Sequence, residues 1–216
     1  MIHALRTPED ADAVVEDVRA HLARGGLLAN PTETVYSLGS AAEREALAAL
    51  ARLKGRPARK PFLLLVSGRV MAERLGLQFN TSARAMSDAY WPGPLTLVLP
   101  GGEGRLPDEL RGAEGGIAVR HTSHRAVARL IERLGVPLTS TSANRPGHPT
   151  APGVDGLLQV FGEAEQDGTL LVLDGGVLGN VPPSTLVDCT TPVPRIVREG
   201  AIPRAELRRR VGRWAP

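Results

Sequence analysis

The sequence predicts a single α/β domain with a twisted mixed sheet flanked by helices. Short apolar runs at 27–29, 62–66 and 95–99 alternate with segments of helical periodicity, which is typical of buried strands between helices. A length of 216 residues suits one domain better than two. Only 3% of the residues are aromatic, so we expect a core of Leu, Val and Ala. We therefore predict that 1–216 form one domain.

The helices and strands follow from local signals. Thr7 is the predicted N-cap of the first helix, because proline and two acids follow it and Gly25 and Gly26 end the apolar spacing. Further helices are predicted at 43–53, 81–89 and 124–134, with a basic C-terminal helix and tail over 203–216. Further strands are predicted at 117–120, 137–140, 170–173, 185–188 and 195–198. The Gly/Pro-rich stretches 101–116 and 145–153 are predicted to be loops beside a site.

The composition excludes several classes of protein. With 42% hydrophobic and 23% charged residues the chain is neither disordered nor fibrous. It contains no run of eighteen apolar residues and no export signal, so we expect a cytoplasmic protein without membrane contact. The single cysteine, Cys189, rules out an internal disulfide or a cysteine metal cluster.

The positive charge points weakly to anionic partners. The net charge is +3 and the sequence pI is about 9.6, because the cations are 24 Arg and only two Lys, Lys54 and Lys60. Such a balance suits nucleotides or RNA but is too small to establish nucleic-acid binding. The two lysines fall within one short stretch, either by coincidence or because a compact ammonium is needed there.

Two polar segments follow a predicted strand and a predicted helix. In the segment 30–36, hydroxyls and backbone amides could hold a carboxylate or phosphate, or form an ordinary strand-to-helix turn. Lys54, Arg56, Arg59 and Lys60 place four cations around a glycine, which suits a polyphosphate clamp but equally a solvated helix end.

Two more polar segments lie later in the chain. The segment 140–144 carries three hydroxyls and an amide that could bind phosphate and sugar oxygens, or form a polar turn. The segment 184–185 precedes the strand of Arg195 and Arg198, where alternation places Ile196 inside and both arginines on the opposite face. Those arginines either close a pocket or face solvent.

The absence of several common motifs excludes some classes of enzyme. The chain has no Walker-type phosphate loop, and its five histidines lack metalloprotease spacing. Cys189 has no evident histidine partner, so inert burial is expected. Nothing in the sequence calls for a covalent intermediate or a protein-held metal.

Six short motifs in order resemble one family, the YrdC/TsaC group of L-threonylcarbamoyladenylate synthases. The resemblance covers about 4–201, and its motifs are 31–36 (PTETVY), 54–57 (KGRP), 91–96 (WPGPLT), 118–120 (AVR), 141–144 (TSAN) and 197–200 (VREG). The resemblance implies a YrdC-like α/β domain that encloses a large, basic, concave cavity. It also implies condensation of L-threonine, bicarbonate and ATP to threonylcarbamoyl-AMP and pyrophosphate. A separate transferase complex then modifies certain tRNAs.

The resemblance implies roles for individual residues. The threonine-binding residues would be Thr34, Arg120, Ser140 and Ser184. The nucleotide-binding residues would be Lys54, Arg56, Lys60, Ser142, Asn144 and Arg198, among which Lys54, Arg56, Ser142 and Asn144 would support catalysis. Mg²⁺ would arrive with ATP, held mainly by phosphates and water, and candidate partners are tRNA or double-stranded RNA.

Four positions depart from the family pattern. Ser37 replaces a glycine, Leu65 a frequent histidine, Lys60 a frequent asparagine, and His121-Thr122 a hydrophobic-proline pair. We interpret the chain as a short, single-domain synthase that lacks the extra C-terminal domain of the longer branch. One alternative is a paralogue that binds double-stranded RNA or nucleotide without synthase activity. Another is a carbamoyltransferase that uses carbamoyl phosphate, although no acylphosphatase or zinc-finger segment is present.

Overall fold

One ten-stranded mixed sheet, with helices on both faces, organises the chain. A computed structural model describes residues 1–55, 61–211 and 214–215. The strands are β1 (Ile2–Ala4), β2 (Leu27–Asn30), β3 (Ser37–Gly39), β4 (Leu63–Leu65), β5 (Leu95–Leu99), β6 (Ile117–Arg120), β7 (Leu138–Ser142), β8 (Leu170–Asp174), β9 (Thr185–Asp188) and β10 (Arg195–Arg198). The helices are α1 (Pro8–Ala23), α2 (Arg44–Lys54), α3 (Arg69–Arg74), α4 (Thr81–Tyr90), α5 (Arg125–Leu134), α6 (Val154–Gln166) and α7 (Arg204–Arg210), with a 3₁₀ turn at Asp108–Leu110.

The strand order mixes parallel and antiparallel neighbours, as predicted. Across the sheet the order is β1-β8-β2-β3-β7-β4-β6-β5-β9-β10. The pairs β1–β8, β8–β2, β4–β6 and β5–β9 are parallel, and the other pairs are antiparallel. Because β7 runs antiparallel to β4 and β6, its first residue, Leu138, is level with Arg120, and Ser142 lies toward the other end of the strands.

Two hydrophobic clusters cover the two faces of the sheet. On one face α1 and α5 pack on Leu28, Leu65 and Leu138. On the other face α2, α4, α6 and α7 pack on strand residues that include Leu64 and Val119. Burial of these apolar side chains is the main contribution to stability.

Part of the sheet on the α1 and α5 face is only half-covered. Leu63, Val98, Ala118 and Leu186 are neither fully buried nor exposed, and strand alternation places them on the same face as Arg120. The sheet therefore presents a partly open apolar surface beside this arginine.

Most predicted elements are confirmed, and the differences have physical reasons. Thr7 caps α1 through a capping box with Asp10. The strand predicted at 137–140 extends to Ser142, because polar residues at its end pair with Leu38 and Ser37 on β3. The strands β1 and β3 have three residues each, too few to show a period.

Two helices were not predicted from the sequence. Helix α6 is not predicted because Gly156 and Gly162 interrupt its pattern, and α3 is only one and a half turns long. The stretch 101–116 leads into β6, whose start lies about 10 Å along the strand from Arg120, and Gly112 lies next to Pro61. Its position beside the site stays a prediction.

No helix in the described ranges combines the length and the apolar character needed to cross a membrane.

Candidate active site

Arg120 is the centre of the first group of predicted residues. It ends β6 and is only 4% exposed, and its Nη2 donates to Glu33 Oε2 at 3.1 Å. Its Nη1 lies 3.5 Å from the hydroxyl of buried Thr34. Burial lowers the pKa of Arg120, opposed by the charge of Glu33, and the nearby charge of Arg198 lowers this pKa further. Strand pairing places both arginines on the same face of the sheet, and two cations there suit binding of an anion.

Ser184 and Arg198 extend this group across the sheet. The Ser184 hydroxyl lies 2.8 Å from that of Thr96 on β5, and Arg198 donates to the Ser184 carbonyl oxygen at 2.9 Å. Arg198 pairs with Leu186, as predicted for the face opposite Ile196. Arg198 is exposed, and partial desolvation of its guanidinium lowers its pKa. Ser140 is buried on β7 and pairs with Leu63 on β4.

Lys54 is the centre of the second group. Its ammonium donates to the carbonyl and hydroxyl oxygens of Ser142, at 2.5 and 3.4 Å. It also contacts the carbonyl and amide oxygens of Asn144, and the Ser142 hydroxyl donates to the same amide oxygen at 2.7 Å. Lys54 is the last residue of α2, which ends there because Gly55 adopts the left-handed conformation, at φ 65°. The predicted cation and the 140–144 segment therefore form one cluster.

One expectation about Lys54 is wrong. Both interpretations of this segment, a polyphosphate clamp and a solvated helix end, require a lysine that is at least partly accessible to solvent, yet Lys54 is only 5% exposed. Four oxygens of the 142–144 segment replace its water shell, and a buried charge requires such partners. Arg56 and Lys60, the other two cations predicted to form the clamp, lie outside the described residues.

Two cavities lie near these groups. The smaller, of about 230 Å³, is lined by Thr34, the segment 150–152 and the segment 178–181. The 145–153 stretch is therefore beside the site, as predicted. The larger, of about 660 Å³, lies between α3, α4 and the loop after α5, and its lining includes His121, the residue after Arg120. One large basic cavity enclosing all the predicted residues stays a prediction.

Three residues in contact with the site were given no role from the sequence. Glu33 and Thr122 form hydrogen bonds around Arg120, and Thr96 contacts Ser184. One sequence signal could have identified them. Each is a polar residue that lies just after an apolar strand or alternates with apolar residues within one. His124 caps α5.

Comparison with known proteins places this geometry in a family. A family model described as telomere recombination, which covers the Sua5, YciO and YrdC proteins, matches residues 20–200. The threonylcarbamoyl-AMP synthase of Thiobacillus denitrificans is 37% identical over 188 residues, which is 87% of this chain and 97% of that protein.

Solved structures agree in fold. The crystal structure of Pyrococcus abyssi Sua5 complexed with L-threonine superposes with a TM-score of 0.86 at 30% identity, and covers 99% of this chain. This chain spans 62% of that protein. Escherichia coli YciO gives a TM-score of 0.75 at 26% identity, with coverage of 96% and 97%. The chain belongs to the Sua5/YciO/YrdC family.

Proposed function

We propose that this protein is a threonylcarbamoyl-AMP synthase. It condenses L-threonine, bicarbonate and ATP to threonylcarbamoyl-AMP and pyrophosphate, the first step of threonylcarbamoyladenosine formation in tRNA. The observation that carries the proposal is buried Arg120, which contacts Glu33 and Thr34 and lies on the same sheet face as the exposed Arg198 beside Ser184. The similarity to the Thiobacillus denitrificans synthase along nearly its whole length supports it.

The amino-acid end of the site is assigned to the Arg120 group. The Arg120 guanidinium would bind the threonine carboxylate as a charge-assisted pair, with Thr34 beside it at 3.5 Å. Ser140 and Ser184 would add hydroxyl groups at the same end.

The nucleotide end is assigned to the Lys54 cluster. Ser142 and Asn144 would bind phosphate and ribose oxygens, with Lys54 holding their segment in place and supplying positive charge. Arg198 would contact the phosphates from β10, and we expect Arg56 and Lys60 to join them. Mg²⁺ enters as part of the MgATP substrate, held by phosphates and water.

The reaction then requires no nucleophilic side chain. The threonine amine and bicarbonate form a carbamate, and a carbamate oxygen attacks the α-phosphorus of ATP as pyrophosphate leaves. The protein contributes proximity, orientation and neutralisation of charge. Cys189 fits this view, since burial raises the pKa of its thiol to about 12.

A pyrophosphate-release assay tests the function. We expect release only when ATP, L-threonine and bicarbonate are all present. Release without threonine would indicate an ATP pyrophosphohydrolase instead. No release from protein that still binds ATP would favour the non-synthase paralogue. If carbamoyl phosphate could replace threonine and bicarbonate, the protein would be a carbamoyltransferase.

The same proposal defines the partners. The product is consumed by a threonylcarbamoyl transferase complex acting on tRNA, so we propose a cytoplasmic location. Direct contact with tRNA or double-stranded RNA is a separate question, which titration with RNA at two salt concentrations would answer.

A further inference from the structure

The carboxylate of Glu33 is held in a fixed orientation beside Arg120. Its Oε2 accepts from Arg120 Nη2 at 3.1 Å and from the Thr122 hydroxyl. The Thr122 oxygen itself accepts the backbone N–H of His124 at 3.2 Å, so its own hydrogen is available for Glu33. Thr122 has no exposed surface. Two donors therefore fix one oxygen of this carboxylate.

The other oxygen of Glu33 and one nitrogen of Arg120 have no hydrogen-bond partner. Within the described part of the chain, Glu33 Oε1 and Arg120 Nε are both buried and both unpaired. Buried polar groups are normally hydrogen-bonded, so each such atom requires an explanation. Here an acceptor and a donor are left over on two side chains that already contact each other.

A counter-ion role explains only half of this arrangement. Burial lowers the pKa of Arg120, so a buried guanidinium at this place needs a nearby negative charge. Oε2 alone meets that need at 3.1 Å. The unpaired Oε1 is therefore an acceptor in excess of what Arg120 requires.

An unpaired acceptor beside an unpaired guanidinium donor is complementary to an α-amino acid, which carries an ammonium next to a carboxylate. We propose that Glu33 binds the α-amino group of the amino-acid substrate through Oε1 and accepts the proton that this group loses during carbamate formation. This rests on the proposed function, in which Arg120 binds the carboxylate. Thr122 is then a positioning residue for Glu33.

The proton transfer balances as follows. The ammonium passes one proton to the Glu33 carboxylate, which leaves a lone pair on nitrogen. That lone pair forms the N–C bond to the carbon of bicarbonate, and the bicarbonate hydroxyl leaves with a second amine proton as water. The product is the carbamate anion, and the proton on Glu33 returns to solvent.

Binding of L-threonine and of (R)-3-hydroxybutanoate tests the amine contact, because the second compound keeps the carboxylate and hydroxyl but lacks the amine. We expect wild-type protein to favour threonine by about tenfold to hundredfold, the usual effect of one charge-assisted hydrogen bond. Glu33→Gln keeps the shape of the side chain and should reduce this preference to within about twofold. Glu73→Gln is a matched control, since Glu73 pairs with Arg84 at 3.0 Å away from the site.

The outcomes separate this proposal from the proposed function. A Glu33→Gln variant that keeps the full preference, or that loses affinity for both compounds equally, overturns the amine contact. Wild-type protein that binds no threonine overturns the proposed function as well. If Glu33→Gln does not fold, Thr122→Val frees Oε2 from one donor and should reduce the preference severalfold, with Thr122→Ser restoring it. An unchanged preference in Thr122→Val also counts against the proposal.

The dependence of turnover on pH tests the proton transfer. At saturating threonine, turnover of Glu33→Gln should rise about tenfold per pH unit between pH 7 and 8.5, because only the free amine then reacts. Wild-type turnover should rise less. The other charged or titratable groups around Glu33 are Arg120, His121 and His124, and burial lowers the pKa of both histidines, so they stay neutral in this range. Equal slopes of turnover against pH for both proteins would overturn the proposal that Glu33 accepts the proton.

Discussion

The ammonium nitrogen of Lys54 at the end of α2 lies 2.5 Å from the carbonyl oxygen of Ser142 on β7. The contact joins residues 88 positions apart, and it ties the helix end to the strand end that carries the proposed nucleotide-binding segment. Lys54 is thus both a structural link and a charge at the site. A mutation there has two separable consequences.

Lys54→Ala should reduce both stability and turnover. The oxygens of Ser142 and Asn144 would lose their donor in a buried place, which typically costs about 1–3 kcal/mol of unfolding free energy. Pyrophosphate release should fall at least about tenfold, because the segment loses its anchor and the site a positive charge. Urea unfolding and the release assay measure the two effects. Arg52→Ala, two residues earlier on α2 and exposed, is the control. Unchanged stability in Lys54→Ala would contradict a structural role for the contact between Lys54 and Ser142.

The fold was predictable where apolar runs are long and bounded by clear signals. The strands at 95–99, 117–120, 185–188 and 195–198 have the predicted bounds, because each run is apolar or alternating and ends at a polar or glycine-rich turn. The three-residue strands β1 and β3 were not predictable, since they exist only through pairing with β8, β2 and β7. Their formation is a tertiary effect.

Arg120→Lys should weaken binding of the amino acid far more than binding of the nucleotide. The planar guanidinium bonds Glu33 at 3.1 Å and keeps other donors for a carboxylate, whereas an ammonium cannot reproduce the fork. We expect the KM for threonine to rise about tenfold to hundredfold and the KM for ATP to change by less than about threefold. Steady-state kinetics with each substrate varied in turn give both values. Equal increases would mean that Arg120 serves the nucleotide or only the fold.

The candidate site was predictable as a set of residue types and not as a set of contacts. The motifs identified Thr34 and Arg120, but their contact spans 86 positions and depends on sheet order. The burial of Lys54 follows from oxygens on a segment that local patterns assign to a turn. Glu33 was missed as a site residue because an acid next to a predicted turn is normally solvated.

Ser37→Gly should lower stability and leave the nucleotide site intact. The Ser37 hydroxyl is buried and donates to the Asn30 carbonyl oxygen at 3.2 Å, while its backbone pairs with Ser142. Loss of the hydrogen bond and the flexibility of glycine in a strand should together cost about 1–2 kcal/mol. The KM for ATP should stay within about twofold of wild type, because the hydroxyl bonds the backbone of β2. A large gain in ATP affinity would show instead that Ser37 obstructs the site.

The free energy of unfolding should decrease as the pH drops from 7 to 5.5, because His121 and His124 are protonated more readily in the unfolded chain. Burial lowers the pKa of both side chains below the usual value of 6.5, against an opposing effect of the Glu33 charge. The unfolded chain therefore binds protons that the folded chain does not, so the free energy of unfolding decreases as the pH falls through 6.5, and the contribution is fully present above that pH. His124→Asn retains a side chain that caps α5 and should weaken the pH dependence, whereas replacement of exposed His148 by Asn should leave it unchanged. Urea unfolding at both pH values measures this difference. If His124→Asn had the wild-type dependence, the burial of His124 would not be its source.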